Sequence, residues 1–198
     1  MNKIALWCFV GFVVAFVIAF GLGAWAASLG TSFGIAPWIL GGLLGAFTAL
    51  IGGNLAGNRK VAMASGEARD AALSFQPATG HALLVVYREG FVGMAAGMNV
   101  HLDGRPVAQL KSPRFTALHL IPGHHIVAFS FGGLAGAQNH QAEVVVPAVA
   151  GQVIALKATM AMGALKNSIA VEWVEAYPSD LRQTLAGMKM VAADQSAA

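Results

Sequence analysis

Six histidines, His81, His101, His119, His124, His125 and His140, are the side chains in this sequence best suited to chemistry. Imidazole is the commonest ligand for zinc, and a zinc site needs three or four convergent ligands. The spacing does not supply them. His124 and His125 are adjacent, so on a strand their rings point to opposite faces. His119 lies across the Pro122-Gly123 turn from that pair, and His101 falls on a neighbouring strand. No compact ligand motif such as H-E-x-x-H occurs. The expectation is surface and turn histidines, with no metal site and no cofactor.

The other chemistry-bearing residues read in the same way. Gly90, Gly93 and Gly97 are spaced glycines, but they lack the G-x-G-x-x-G pattern and its strand-to-helix setting. They are expected in a flexible or bulged strand connection. The segment from Gly132 to Ala137 reads as a mobile apolar loop. Asp103 is accounted for by a turn with Gly104. Glu172 and Glu175 flank Trp173 at a strand end and read as solvated. Arg88 and Glu89 sit at a strand terminus, where Arg88 is expected in a structural ion pair. No Ser/His/Asp grouping or nucleophile elbow meets the requirements of a catalytic site. The single cysteine, Cys8, lies in an apolar run, outside any lipobox-like setting, and has no disulfide partner in the chain. The chain is expected not to be an enzyme.

What must position these residues is a chain with two solvents. It is 57% hydrophobic and 11% charged, against about 25% charged in a soluble domain. From Ile4 to Asn58 there is no charged residue and no histidine. Setting aside Lys3, Arg59 and Lys60 leaves nine basic against nine acidic residues. The basic balance therefore comes from charges flanking the apolar runs, and nucleic-acid binding is not expected.

The apolar runs, residues 4–27 and 33–57, each exceed the roughly 20 residues that cross a bilayer core. The short turn between them makes the helices antiparallel, a transmembrane hairpin over residues 1–57. Small residues recur every fourth position: Gly11, Ala15, Ala19 and Gly23 in the first, Gly41, Gly45, Ala49, Gly53 and Gly57 in the second. Positions four apart share a helix face, so each helix carries a small-xxx-small, glycine-zipper groove that permits close packing. The grooves either close the hairpin alone or also join separate chains. Ala24-Trp25-Ala26 resembles a signal-peptide cleavage site, but the apolar stretch is longer than the usual 7–15 residues or so, and a retained helix is expected. Lys3, Arg59 and Lys60 are the topology charges, and by the positive-inside rule both termini are cytoplasmic.

Residues 58–80 read as a juxtamembrane linker. The stretch from Arg59 to Leu73 extends the second helix, and Gln76-Pro77 breaks it. From His81 the period becomes that of strands, expected at 82–88, 98–102, 106–110, 115–120, 125–131, 141–146, 152–160 and 168–174. Asp103-Gly104 is a tight-hairpin signal, and Pro122-Gly123 marks another turn. Many short, evenly spaced strands suggest an all-β sandwich, here over residues 81–176. Residues 177–198 read as a C-terminal helix, Tyr177 to Ala193 with Ser179 as its cap, and a frayed tail. Leu181, Leu185 and Met188 form its apolar stripe. The fold class expected is a membrane-anchored α+β chain.

A resemblance adds to this reading. Val100, Leu102-Asp103-Gly104 and Val107, then Leu120-Ile121-Pro122-Gly123-His124, resemble the PEGA-type β-sandwich module. Val85-Val86-Tyr87-Arg88-Glu89 and Phe91-Val92-Gly93 look still more like a related bacterial domain-of-unknown-function family found on envelope lipoproteins. The similarity covers residues 82–174. It implies a binding or scaffolding domain with no established active site. The departure is the anchor, a helical hairpin in place of a lipidated cysteine. The expected function is an integral protein of the bacterial inner membrane presenting a non-catalytic β interaction module. Its expected partners are membrane lipid, a protein bound by the β domain, and further copies of the chain. Two alternatives are a membrane oligomer assembled through the small-residue helices, and an envelope-facing stress or surface-maintenance protein with its β domain in the periplasm.

Overall fold

The computed structural model describes residues 2–163, 166–175 and 178–194. The chain forms two compact units, one up to Gly57 together with Gly133–Ala135, the other from Asn58 onward.

The first unit is a pair of helices, α1 (Lys3–Ser28) and α2 (Ala36–Leu55). At 1.5 Å per residue their lengths are about 39 and 30 Å, and both are long and apolar enough to cross a membrane. Asn2 caps α1, its side chain accepting from the Ile4 N–H at 3.1 Å. Pro37 in the first turn of α2 uses a position where no N–H is needed.

The buried positions of this pair are all small: Gly11, Ala19 and Ala26 in α1, Pro37, Gly41, Gly45, Gly52 and Gly53 in α2. A Cβ on Gly11 would collide with the Gly45 carbonyl, and one on Gly45 with the Gly11 carbonyl. A Cβ on Gly41 would collide with the Ala15 carbonyl and crowd Ala19. The ladders thus meet antiparallel, Gly11 against Gly45 and Ala49, Ala15 and Ala19 against Gly41. They are not used throughout. Gly23 faces open space, Gly53 lies under the Leu134 side chain, and the Gly57 amide lies beside Gly133. The large side chains point outward instead, with Phe12 67% and Leu43 66% exposed.

The second unit starts differently from the expected linker. The chain is extended through residues 59–64, and a separate helix, α3 (Gly66–Leu73), begins at Ser65, whose hydroxyl accepts from Ala68 N–H at 3.1 Å. Ser65 is a better N-cap than continuation residue, which is why α2 does not run on from Arg59. Among the described residues nine strands follow: β1 (Ala82–Arg88), β2 (Met98–Leu102), β3 (Arg105–Leu110), β4 (Arg114–Leu120), β5 (Gly123–Phe131), β6 (Ala142–Ala148), β7 (Val153–Ala161), β8 (Ser168–Trp173) and β9 (Lys189–Met190). Between β5 and β6 the segment expected as a loop is a short helix, α4 (Gly133–Gln138). Helix α5 (Pro178–Ala186) precedes β9.

The sheets have orders β8-β7-β1-β4-β9 and β3-β2-β5-β6. The second is antiparallel throughout, but β1 runs parallel to β7, and β4 parallel to β9. Every residue of β1 is buried, as a central strand covered on both faces requires. On one face Leu83, Val85 and Tyr87 pack with Phe115, Ala72 and Phe75, and with Leu181, Leu185 and Met188. The opposite face, carrying Leu84, Val86 and Arg88, turns towards the four-stranded sheet, where Arg88 meets Leu110 and Phe131. The all-β sandwich is therefore corrected to mixed sheets with helices α3 and α5 over one of them.

The C-terminal region also differs. Tyr177 lies outside the described residues, and so do Gln195–Ala198. The helix stops at Ala186, since Met188 to Met190 turn back to the sheet edge and Arg114 pairs with Lys189. Ser179 does not cap; its hydroxyl donates to Asp180 Oδ1. Asp194 is not frayed, its N–H donating to the Val107 carbonyl at 2.8 Å. Residues 62–64 run beside 190–192, joined by the Ala64 N–H to Met190, the Ala192 N–H to Ala62, and the Met63–Val191 bridge.

The helix contact gives a direct expectation. Gly45→Val should cost about 1–3 kcal/mol through overpacking, read as a lower midpoint when the purified protein is titrated with SDS. Gly23→Val, facing open space, should leave the midpoint unchanged.

Candidate functional site

The most unusual side chain in the second unit is Arg88. It ends β1 with no solvent exposure, although arginine is almost never fully buried without a partner charge. Its position follows from alternation: residues 82, 84, 86 and 88 share one strand face, and that face is the interior. Among the described residues the expected ion pair is absent. Nη1 donates to the carbonyls of Ala96 and, at 2.9 Å, Leu110, and Nη2 donates to Gly93 at 2.7 Å. The guanidinium lies 5.0 Å above the Phe131 ring, a cation–π contact. Buried Nε has no hydrogen-bond partner among the described residues. Burial lowers the pKa to about 10, so the side chain stays charged at neutral pH.

The carbonyls of Gly93 and Ala96 come from the turn between β1 and β2. Gly90 and Gly93 there have φ of 103° and 62°, the left-handed region that glycine enters without strain. The turn is held on its other side by Asn58, whose Nδ2 donates to Ala95 at 3.0 Å and whose Oδ1 accepts from the Gly97 N–H at 2.6 Å. The next residue joins in: Arg59 N–H donates to Gln109 Oε1 at 2.7 Å, and Asn99 Oδ1 accepts from Gln109 and from the Arg59 guanidinium. A turn fixed from both sides displays apolar side chains, with Phe91 85% exposed and Val92 and Met94 also exposed. It is an ordered platform instead of a flexible connection.

The turn motif behaves as expected at Asp103-Gly104. Both residues have positive φ, 49° and 80°, between paired Leu102 and Arg105, as a two-residue type I′ hairpin requires. Asp103 does more than turn the chain. Its Oδ2 lies 2.7 Å from His125 Nδ1, and its Oδ1 accepts from the Ile126 N–H at 2.8 Å. His125 Nε2 lies 2.9 Å from the Ile121 carbonyl, just before Pro122-Gly123. The ring thus links the two turns. Burial disfavours the imidazolium, but the Asp103 bond and the Ile121 carbonyl outweigh it, and the His125 pKa is raised. Burial likewise opposes the Asp103 carboxylate, yet the bonds from His125 and Ile126 hold it below the usual carboxylate range.

The histidines do not converge. His119 pairs with Leu83 in the five-stranded sheet and accepts from the Ala78 N–H, with His81 edge-on at 6.3 Å. His101 and His124 lie on the other sheet, opposite Ala128 and Pro147. Among the described residues no three His, Cys, Asp or Glu side chains are placed to hold a metal. Lys157 reaches Glu89 at 3.6 Å and Glu172 at 3.9 Å on the surface. Of the topology charges, Lys3 opens α1 and Arg59 joins the polar network around Gln109.

Two expectations follow. Arg88→Met should cost at least about 2 kcal/mol, because the buried carbonyls of Ala96 and Leu110 lose their donor at roughly 1–3 kcal/mol each. Chemical denaturation reads the cost, and hydrogen exchange should rise across residues 89–97. The His125–Asp103 bond should make stability pH-dependent. The raised His125 pKa contributes fully below about pH 6.5 and is lost as pH climbs through the folded value. The lowered Asp103 pKa contributes above the ordinary carboxylate range and is lost on acidification. Thermal midpoints should therefore fall as pH rises from about 6.5, and Asp103→Asn, which tolerates the positive φ, should flatten that fall. No protein-family model matches this sequence, and no curated protein matches it.

Proposed function

We propose that this chain is an integral membrane protein whose two-helix hairpin displays a non-catalytic β module that binds a protein partner. The observation that most supports membrane insertion is the reversed packing of α1 and α2. Their glycines and alanines face inward, and Phe9, Phe12, Phe16, Phe20, Leu43 and Phe47 face outward. A core helix of a soluble protein is arranged the other way. Apolar area left in water costs about 25 cal/mol per Å², and soluble monomers rarely keep patches beyond a few hundred Å². Hydrocarbon removes that cost, and close small-residue contact is how helices associate there.

The positive-inside rule applied to Lys3, Arg59 and Lys60 favours both ends in the cytoplasm, and the resemblance to bacterial envelope families favours the inner membrane. The partner reading rests on β5 and β6. Ile126 and Val145 are directly opposite on the open face, 47% and 59% exposed, and β6 is the outer strand of its sheet. An extended segment of a partner can add to such an edge by main-chain hydrogen bonds. The PEGA-type resemblance, a scaffolding fold, supports the same function. Since Gly41 and Gly45 are occupied within the hairpin, assembly through these ladders is the weaker alternative.

The test is extraction and topology. The full chain should stay with membranes at alkaline pH. A fluorescent protein fused after Ala198 should fluoresce, and alkaline phosphatase there should be inactive. Release into the supernatant would remove the anchor, and active phosphatase would reverse the orientation.

A further inference from the structure

We infer that the turn between β1 and β2, with the basic pocket beside it, is a docking surface for the headgroup layer of an anionic phospholipid membrane. The inference rests on the membrane reading of α1 and α2 and adds a second, peripheral contact to it.

Three observations meet at this place. The first is the apolar platform: Phe91, Val92 and Met94 stand exposed on a turn that Arg88 and Asn58 hold rigid. An ordered apolar tip is poised to enter an interface without the entropy cost of ordering a loop. The second is an adjoining open pocket of about 450 Å³, lined by Met94, Lys111, Ser112, Arg114 and Lys189 among others. Three of its side chains are cations and none is acidic. Among the described residues, none of the three forms an ion pair. The Ser112 N–H donates to the Met94 carbonyl at 3.2 Å, so platform and pocket are one piece. The other residues after Lys60 carry six basic against nine acidic side chains, which makes this cluster a local excess.

The third observation is the tether. Asn58, which bonds to Ala95 and Gly97 of the turn, follows the last residue of α2, Leu55, by three positions. Three residues reach at most about 11 Å. Whatever the orientation of the two units, covalent connection keeps this turn close to the end of α2. Arg59 and Lys60 add two more cations at the same point of the chain. Apolar side chains beside unpaired cations are the composition that anionic lipid surfaces attract.

The occupant is thus a phospholipid bilayer carrying negative headgroups. The pocket takes the phosphate group, and Phe91 and Met94 enter among the upper acyl carbons. Free phosphate shares the headgroup chemistry but has nothing for the apolar side chains to enter.

The experiment uses the full chain in nanodiscs of phosphatidylcholine, with or without phosphatidylglycerol. An environment-sensitive fluorophore is placed at Phe91→Cys in a Cys8→Ser background, and separately at native Cys8. A third label, at Glu143→Cys on exposed β6, reports non-specific adsorption. The expected result is a blue shift at position 91 with phosphatidylglycerol, quenched by lipids spin-labelled at a shallow depth, and none at position 143. Combining Lys111→Gln, Arg114→Gln and Lys189→Gln should shift the docked-to-free ratio back by about five-fold per charge. A water-like label at 91 in both lipids, with Cys8 quenched, overturns the docking surface and leaves the hairpin intact. A shift at 143 equal to that at 91 overturns it as adsorption. Reversal of the shift by inorganic phosphate alone overturns the lipid as occupant. If the Cys8 label is itself unquenched, the membrane reading fails first.

Discussion

A guanidinium buried between two sheets without a carboxylate has to take its acceptors from the main chain. That demand at Arg88 organises one end of the β unit. Carbonyls at Gly93, Ala96 and Leu110 must turn inward to meet it, and Phe131 must lie beneath it. The turn from 89 to 97 therefore cannot wander, and its apolar residues, denied the interior, are displayed. An ion pair would have satisfied the charge with one side chain and left the turn free. Carbonyl ligation couples β1, β3, β5 and the turn into one interior, in which any loosened segment leaves a charge short of partners.

Much of the architecture was legible because its signals are local. Strands from Ala82 to Arg88 and Met98 to Leu102 matched their expected bounds, and six others matched within two residues. Alternation and turn residues such as Asp103-Gly104 carry that information within a few positions. Helix α3, strand β9 and the parallel pairings were not legible. Helix α3 is eight residues of weak pattern, and β9 is two residues whose strand character exists only because Phe115 pairs with Met190. Parallel pairing joins segments some seventy residues apart, and no local period records it.

The site was less legible than the fold, for a related reason. Arg88 followed six apolar residues on a strand, and counting alternate positions placed it on the inner face. An arginine at a strand end is ordinarily solvated, and the expectation for Arg88 was a structural ion pair, which says nothing of carbonyl ligation. Asn58 and Gln109 carry no composition signal, since their role lies in contacts across 39 and 50 residues. The small-residue ladders stood out by spacing. Which rungs face the neighbouring helix and which face open space, as Gly23 does, depends on the crossing of the helices.

The row of bonds joining residues 62–64 to 190–192 sets the β unit's two chain ends side by side. A domain closed in this way is a cassette. Both of those segments lie at one place, while residues Gly133–Ala135 leave the unit between β5 and β6 and return to it. In evolutionary terms such a unit can be moved between anchors, or spliced into a longer chain, without rerouting a strand.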